Sequence, residues 1–320
     1  MNRLLIFVFL FGIFCASCKP DNTLEKTISE IDIDFTVERF DRLFAEAKPS
    51  DLSKLKTAYP FMFSERYHDS VWINRINDTL QQQLNHEVHK VHGDFEKSQD
   101  EIYGLFQHLK YYFKEFKTPR VITVASNVDY RNKTIVTDSL VFIALETYLG
   151  ANHEFYDSFH AYIKQNLKPS QIAPDLAETY AKKRIFQSNR KTLLDEMIYF
   201  GKILYFKDTM LPNIPDHDKI GYSNEEFEWA QQNESNIWRH FVERELLFST
   251  DSKLAPRFIN PAPFSKFNLE LDSESPGRLG QYMGWQIVRA YMKNNDVSLQ
   301  DMLSKDAEVI FNTSKFKPRK

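Results

Sequence analysis

Apolar residues recur at helical spacing along most of this 320-residue chain. In FTVERFDRLF, Val37, Phe40, Leu43 and Phe44 share one face at spacings of three and four, which predicts an amphipathic helix. Pro49-Ser50-Asp51 opens another helix, and Tyr59-Pro60 ends it because a residue before proline avoids the α region. From Asp78 to Phe116 the pattern stays helical apart from a break at Gly93-Asp94. Its second half carries a stripe of Ile102, Leu105, Phe106, Leu109, Tyr112 and Phe113. Later helices are expected at 155–166, 174–187, 190–206, 223–247, 276–294 and 298–310. Pro174 followed by Asp175 suits a helix start, and Leu194, Met197, Ile198, Ile203 and Leu204 are candidate core positions. Two segments break the helical period: VITVAS after Pro119-Arg120, and TIVTDSLVFIAL after the turn-like DYRNK. Their β-branched residues and short polar connection predict an adjacent antiparallel pair. The expected fold class is mainly α (α+β), with many helices and a small antiparallel sheet.

The first residues follow a different pattern. Leu4 to Phe14 form an unbroken apolar run of eleven, too short for a permanent bilayer span but suited to a signal-peptide core. Ala16 and Ser17 then precede Cys18, an arrangement that resembles a bacterial lipobox, with Cys15 where leucine is usual. The expectation is a signal peptide over 1–17, lipid attachment at Cys18 and a polar tether over 18–34. A single globular domain over 35–320 follows, since no Gly/Ser/Pro-rich linker interrupts residues 35–310. One acyl chain holds a protein only reversibly, so a permanent anchor implies more than one palmitate-type chain. Lys19-Pro20-Asp21 is only partly like the charged signals that send lipoproteins to a cell surface. A periplasm-facing position is therefore expected, with inner or outer membrane left open.

Composition narrows the chemistry. Lys plus Arg number 41 and Asp plus Glu 44, a balance that argues against nucleic acid as a partner. Both cysteines lie at the leader, so neither a disulfide nor a thiolate metal site is expected in the folded domain. Aromatics make up 14% of the chain, enough to build a large core without cross-links, while only 9 glycines disfavour Gly-rich phosphate loops.

No catalytic motif stands out. A zinc peptidase helix carries H-E-x-x-H, and the nearest strings here are His86-Glu87-Val88-His89, with His92 beyond it, and His153-Glu154-Phe155-Tyr156-Asp157. There is no G-x-S-x-G, and Pro276-Gly277-Arg278-Leu279-Gly280 has neither the preceding strand nor the spacing of a dinucleotide fingerprint. Its structural reading is a helix start at Pro276, with Gly280 and Gly284 forming a small-residue stripe for close helix packing. Accordingly no catalytic, cofactor or metal residue is assigned. The segment 220–266 is dense in aromatic and charged residues, and Ala255–Ser265, with three prolines, is expected to be an ordered surface loop. Trp229, Trp238, Arg257, Phe264 and Lys266 are the candidate partner-binding surface.

MIYFGKILYFKDTMLP, IGYSNEEFEWAQQNESNIW, FSTDSKLAPRFINPAPFSKF and ESPGRLGQYMGWQIVRAYM resemble the gliding-motility lipoprotein GldB family of the Bacteroidota. The resemblance runs over essentially the whole chain. It implies a membrane-anchored, non-catalytic envelope protein needed for gliding, with partners in the gliding and type 9 secretion machinery. LLDEMIYFGKILYF and PGRLGQYMGWQIVRAYM also resemble zinc-dependent proteases. Here PDLAETYAKKRIF, with Leu176, Ala177 and Glu178, contains no histidine, and Tyr199-Phe200-Gly201-Lys202 has no acid before its glycine. That likeness implies a zincin-like scaffold lacking its metal site, a pseudoenzyme. Two rivals remain: a zinc-dependent peptidase with a non-standard site facing Glu178 or Glu196, and a lipoprotein that stacks exposed Trp and Tyr on cell-wall sugars.

Overall fold

The computed structural model describes residues 23–187, 190–269 and 272–320. The expected signal peptide over 1–17, the expected lipid-attachment residue Cys18 and the Lys19-Pro20-Asp21 stretch lie outside the described residues. The stretch read as a polar tether is folded from Thr23 onward. Helix α1 (Thr23–Ser29) buries Ile28, and Gln107 donates from its side chain to the carbonyls of Ser29 (3.0 Å) and Ile31 (2.8 Å). Val37 leaves the expected helix for a two-residue strand, β1 (Val37–Glu38), and α2 (Phe40–Ala45) starts after it. Phe40 and Phe44 are buried but Leu43 is exposed, since the shortened helix turns only two of the three inward.

Helices α3 (Leu52–Ala58) and α4 (Asp69–Asn77) follow. The long helical stretch divides into α5 (Thr79–His92) and α6 (Glu96–Tyr112) at Gly93-Asp94, as the sequence predicts. Asp78 caps α5 by accepting from the Gln81 amide at 2.8 Å.

The sheet corrects the predicted pairing. TIVTDSLVFIAL divides into β3 (Thr134–Val136) and β4 (Leu140–Ala144), which form the antiparallel hairpin between themselves. β2 (Arg120–Val124) runs parallel to β4 and to β1, giving the order β1-β2-β4-β3. Thr137 closes the hairpin, donating its amide to the Leu140 carbonyl and accepting from the Leu140 amide on its Oγ1. Burial on both faces accounts for the parallel arrangement. Val121, Val141 and Ile143 enter the main core, while Ile122 joins Phe40, Phe44, Leu52, Leu55 and Phe63 in a smaller core.

The C-terminal half of the chain is helical. The helix expected at 155–166 is reduced to a 3₁₀ turn (Glu154–Tyr156) and α7 (Ala161–Lys164). After α8 (Ile172–Lys182) comes α9 (Leu193–Met210), opened by a reciprocal Thr192–Asp195 capping box. Next is α10 (Asp216–Ile220), which ends at Gly221 with φ 69°. The expected 223–247 helix divides at Asn233 into α11 (Asn224–Gln232) and α12 (Glu234–Glu243). The division lets buried Glu234 accept from the Tyr282 hydroxyl at 2.8 Å and the Arg319 amide at 2.9 Å.

The predicted loop 255–265 instead contributes α13 (Leu254–Phe258) and fully buried Phe258 and Ser265; the Ser265 hydroxyl accepts from the Leu279 amide. Helix α14 (Leu279–Asn294) packs along α9 through Gly201 and Gly284. Short helices α15 (Leu299–Ser304) and α16 (Ala307–Thr313) complete the chain. No described helix is long and apolar enough to cross a membrane.

Candidate functional site

Lysine is an unusual choice for a buried helix position, yet α9 buries both Lys202 at mid-helix and Lys207 in its last turn. Lys202 is fully buried and donates to the carbonyls of Leu303 (3.3 Å) and Lys305 (2.6 Å), tying α9 to the end of α15; burial lowers its pKa to about 8. Lys207, one and a half turns on, faces a cleft of about 360 Å³. The cleft lies between α8, α9, α10 and the segment 130–134, with Pro261 and Arg278 on its rim.

Six cationic side chains line this cleft: Arg131, Lys133, Lys182, Lys207, Lys219 and Arg278. Two carboxylates, Asp175 and Glu178, stand among them, one turn apart on α8. Glu178 meets the ammonium groups of both Lys207 and Lys182 at 2.8 Å. Burial pushes this carboxyl up, but the two ammonium groups outweigh it and hold the pKa well below the usual carboxylate range. Glu178 in turn raises the pKa of Lys182. Asp175 pairs with Lys133 and accepts from the Tyr148 hydroxyl at 2.9 Å.

Below the cleft a second layer fixes these groups. Asp208 takes both arms of the Arg289 guanidinium at 2.7 Å and the Trp285 indole N–H at 2.8 Å. Arg289 also reaches Asp216 at 2.9 Å and stacks 3.8 Å above the Trp285 ring. Lys219 bridges Asp208 and Asp216. The network thus locks α9, α10 and α14 together by bidentate, planar pairing. At the rim, Arg278 sits in the left-handed region at φ 60°, donates to the Gly221 carbonyl at 2.8 Å and lies over the Tyr222 ring. A non-glycine residue held there costs about 1 kcal/mol, a strain typical of functional positions.

The residues singled out by sequence do not form one surface. Trp229 lines a groove of about 290 Å³ with Asn233, Asn236, His240, Phe267 and Asp272. Trp238 packs instead on Phe316 and Phe311, with ring centres 5.2 and 5.9 Å away. Arg257 and Lys266 do meet, the Arg257 Nε donating to the Lys266 carbonyl at 2.8 Å. Phe264 is half-buried between them in sequence.

The two histidine strings also come together, because Glu87 accepts from His153 at 3.1 Å and has its pKa lowered chiefly by that bond. His86 and His89 stay exposed, and His92 is buried with a pKa of about 4, lowered by desolvation and by Arg39. Among the described residues no three His, Cys, Asp or Glu side chains gather as a metal-holding group. Glu196, the other acid weighed as facing a metal, pairs with Arg190.

Of the cleft residues only Glu178 was singled out as a possible site residue in the sequence. The available signal was Lys207 inside the apolar run of α9, since a buried lysine requires an acid or backbone carbonyls to receive it.

Similarity to a known family covers nearly the whole chain. A family described as gliding motility protein GldB, a lipoprotein family, matches residues 21–318. No curated protein and no solved structure matches the chain.

Proposed function

Because the chain belongs to the GldB family of gliding-motility lipoproteins, we propose that it is a non-catalytic, lipid-anchored component of the gliding apparatus that works by binding a partner in its cationic cleft. The supporting observation is the Glu178–Lys207 pair. A carboxylate acting as general base needs a pKa near the working pH, and one offered to a metal must be free to coordinate. Glu178 meets neither condition: two ammonium groups occupy it and depress its pKa. The cleft therefore reads as a zincin-like pocket turned into a charged receptor, a pseudoenzyme. Anchoring through Cys18 would hold the receptor at a membrane, facing the periplasm, within reach of gliding and type 9 secretion proteins. A carbohydrate-binding role draws on Trp229 beside Asn233, Asn236 and Asp272, a ring with polar edges.

The test uses Cys18→Ser and peptide turnover. The variant should leave the membrane fraction and fail to support colony spreading, while purified wild-type protein with added zinc leaves peptide substrates intact. Metal-dependent peptide cleavage abolished by Glu178→Gln would overturn the non-catalytic reading.

A further inference from the structure

We propose that the ligand of the cationic cleft is a phosphate group, whether carried by a lipid headgroup or by a soluble phosphoryl compound. This rests on the cleft being a binding site. Three of the cleft's six cations are answered by carboxylates of their own. Lys133 is matched by Asp175, Lys207 by Glu178, and Lys219 by Asp208 and Asp216. Lys182 shares Glu178 with Lys207, so the four lysines outnumber the lining carboxylates. Arg131 lies over Tyr130, and Arg278 bonds only a backbone carbonyl and stacks on Tyr222. Neither makes an ion pair among the described residues; Asp129, the carboxylate nearest Arg131 in sequence, is exposed and lies outside the cleft lining.

The surplus is thus Arg131, Lys182 and Arg278. One carboxylate would leave two of these charges unmatched, whereas a phosphate monoester brings nearly two negative charges and three acceptor oxygens. Guanidinium forks and lysine point charges together are the usual recognition set for phosphate. The Tyr130 ring, Ile220 and Pro261 give the cleft an apolar wall for whatever carries the phosphate. Lys207 and Lys219 are buried and fixed by acids, so the floor of the site is built before any ligand arrives.

The experiment is calorimetric titration of the full-length, detergent-solubilised protein with glycerol phosphate, with phosphatidic acid in mixed micelles, and with a short oligoglutamate peptide. Binding of glycerol phosphate at least tenfold tighter than of oligoglutamate supports the proposal and points to a soluble ligand. Binding of phosphatidic acid alone supports it with a lipid source. In either case Arg131→Gln combined with Lys182→Gln should weaken binding at least tenfold, while Lys54→Gln, an exposed lysine outside the cleft, should not. Both cleft side chains are solvent-accessible, and a single cooperative unfolding transition above the titration temperature confirms the variants are folded. Preferred binding of oligoglutamate overturns the phosphate proposal but leaves the binding reading standing. Phosphate binding that survives the double variant, or no binding of either phosphate, also overturns it, and peptide turnover would instead sink the reading beneath it.

Discussion

Gly201 and Gly284 face each other where α9 crosses α14. A Cβ on Gly201 would lie 2.4 Å from the Gly284 carbonyl oxygen, and one on Gly284 only 1.8 Å from the Met197 carbonyl oxygen. Both obstacles are backbone atoms, so neither can turn aside as a side-chain tip would. Gly284→Ala should therefore destabilise the protein by about 3 kcal/mol or more, since the helices would have to separate. Gly104 in α6 has open space around its missing Cβ, and Gly104→Ala should stabilise by about 0.5–1 kcal/mol. Urea unfolding of the two variants checks the contrast; equal effects would contradict the close crossing.

The Glu178–Lys207 pair makes a second prediction. Lys207→Met leaves Glu178 with Lys182 alone, and half-exposed Lys182 answers it less fully. The expected loss is about 2 kcal/mol, below that of a fully buried broken pair because Glu178 keeps some solvent contact. Lys207→Met with Glu178→Met should recover part of that loss. A double-mutant cycle by urea unfolding measures the coupling, and additive losses would show the pair to be incidental.

Acidity should act on stability through Glu146. This fully buried carboxyl, met by the Ser126 hydroxyl at 3.2 Å, has its pKa raised to about 7 from 4.5, chiefly by burial. Between those two values the folded state holds the proton more tightly than the unfolded chain does. Its contribution is therefore full below pH 4.5 and is lost as pH rises through 7. His92 acts oppositely: its pKa falls from 6.5 to about 4, so its contribution is full above 6.5 and lost as pH drops through 4. Glu146→Gln should remove the decline between pH 4.5 and 7 and leave the acid-side loss in place. Unfolding midpoints across pH 4–8 check this, and an unchanged profile would place the decline elsewhere.

Much of the helical framework was legible because its signals are local. The Gly93-Asp94 break and the apolar stripe of α6 need only neighbours in sequence, and the Gly280/Gly284 stripe correctly announced close packing on α14. Strand pairing was not legible. A second strand hidden in TIVTDSLVFIAL formed the hairpin, and the parallel register of β2 with β4 depends on burial of both faces. The split at Asn233 depends on Glu234 meeting Tyr282 and Arg319, residues distant in sequence. The cleft was illegible for the same reason, since its charges come from α8, α9, α10, the 130–134 segment and Arg278. The tryptophans carry the stronger local signal, yet Trp238 packs on the C-terminal segment.

If gliding depends on the cleft's positive charge, colony spreading is the decisive measurement. A strain lacking the native protein would be complemented with Arg131→Glu combined with Lys182→Gln, with membrane-bound protein levels measured alongside. Anchored protein should stay at wild-type amounts while the colonies fail to spread. Full spreading by that strain would contradict it.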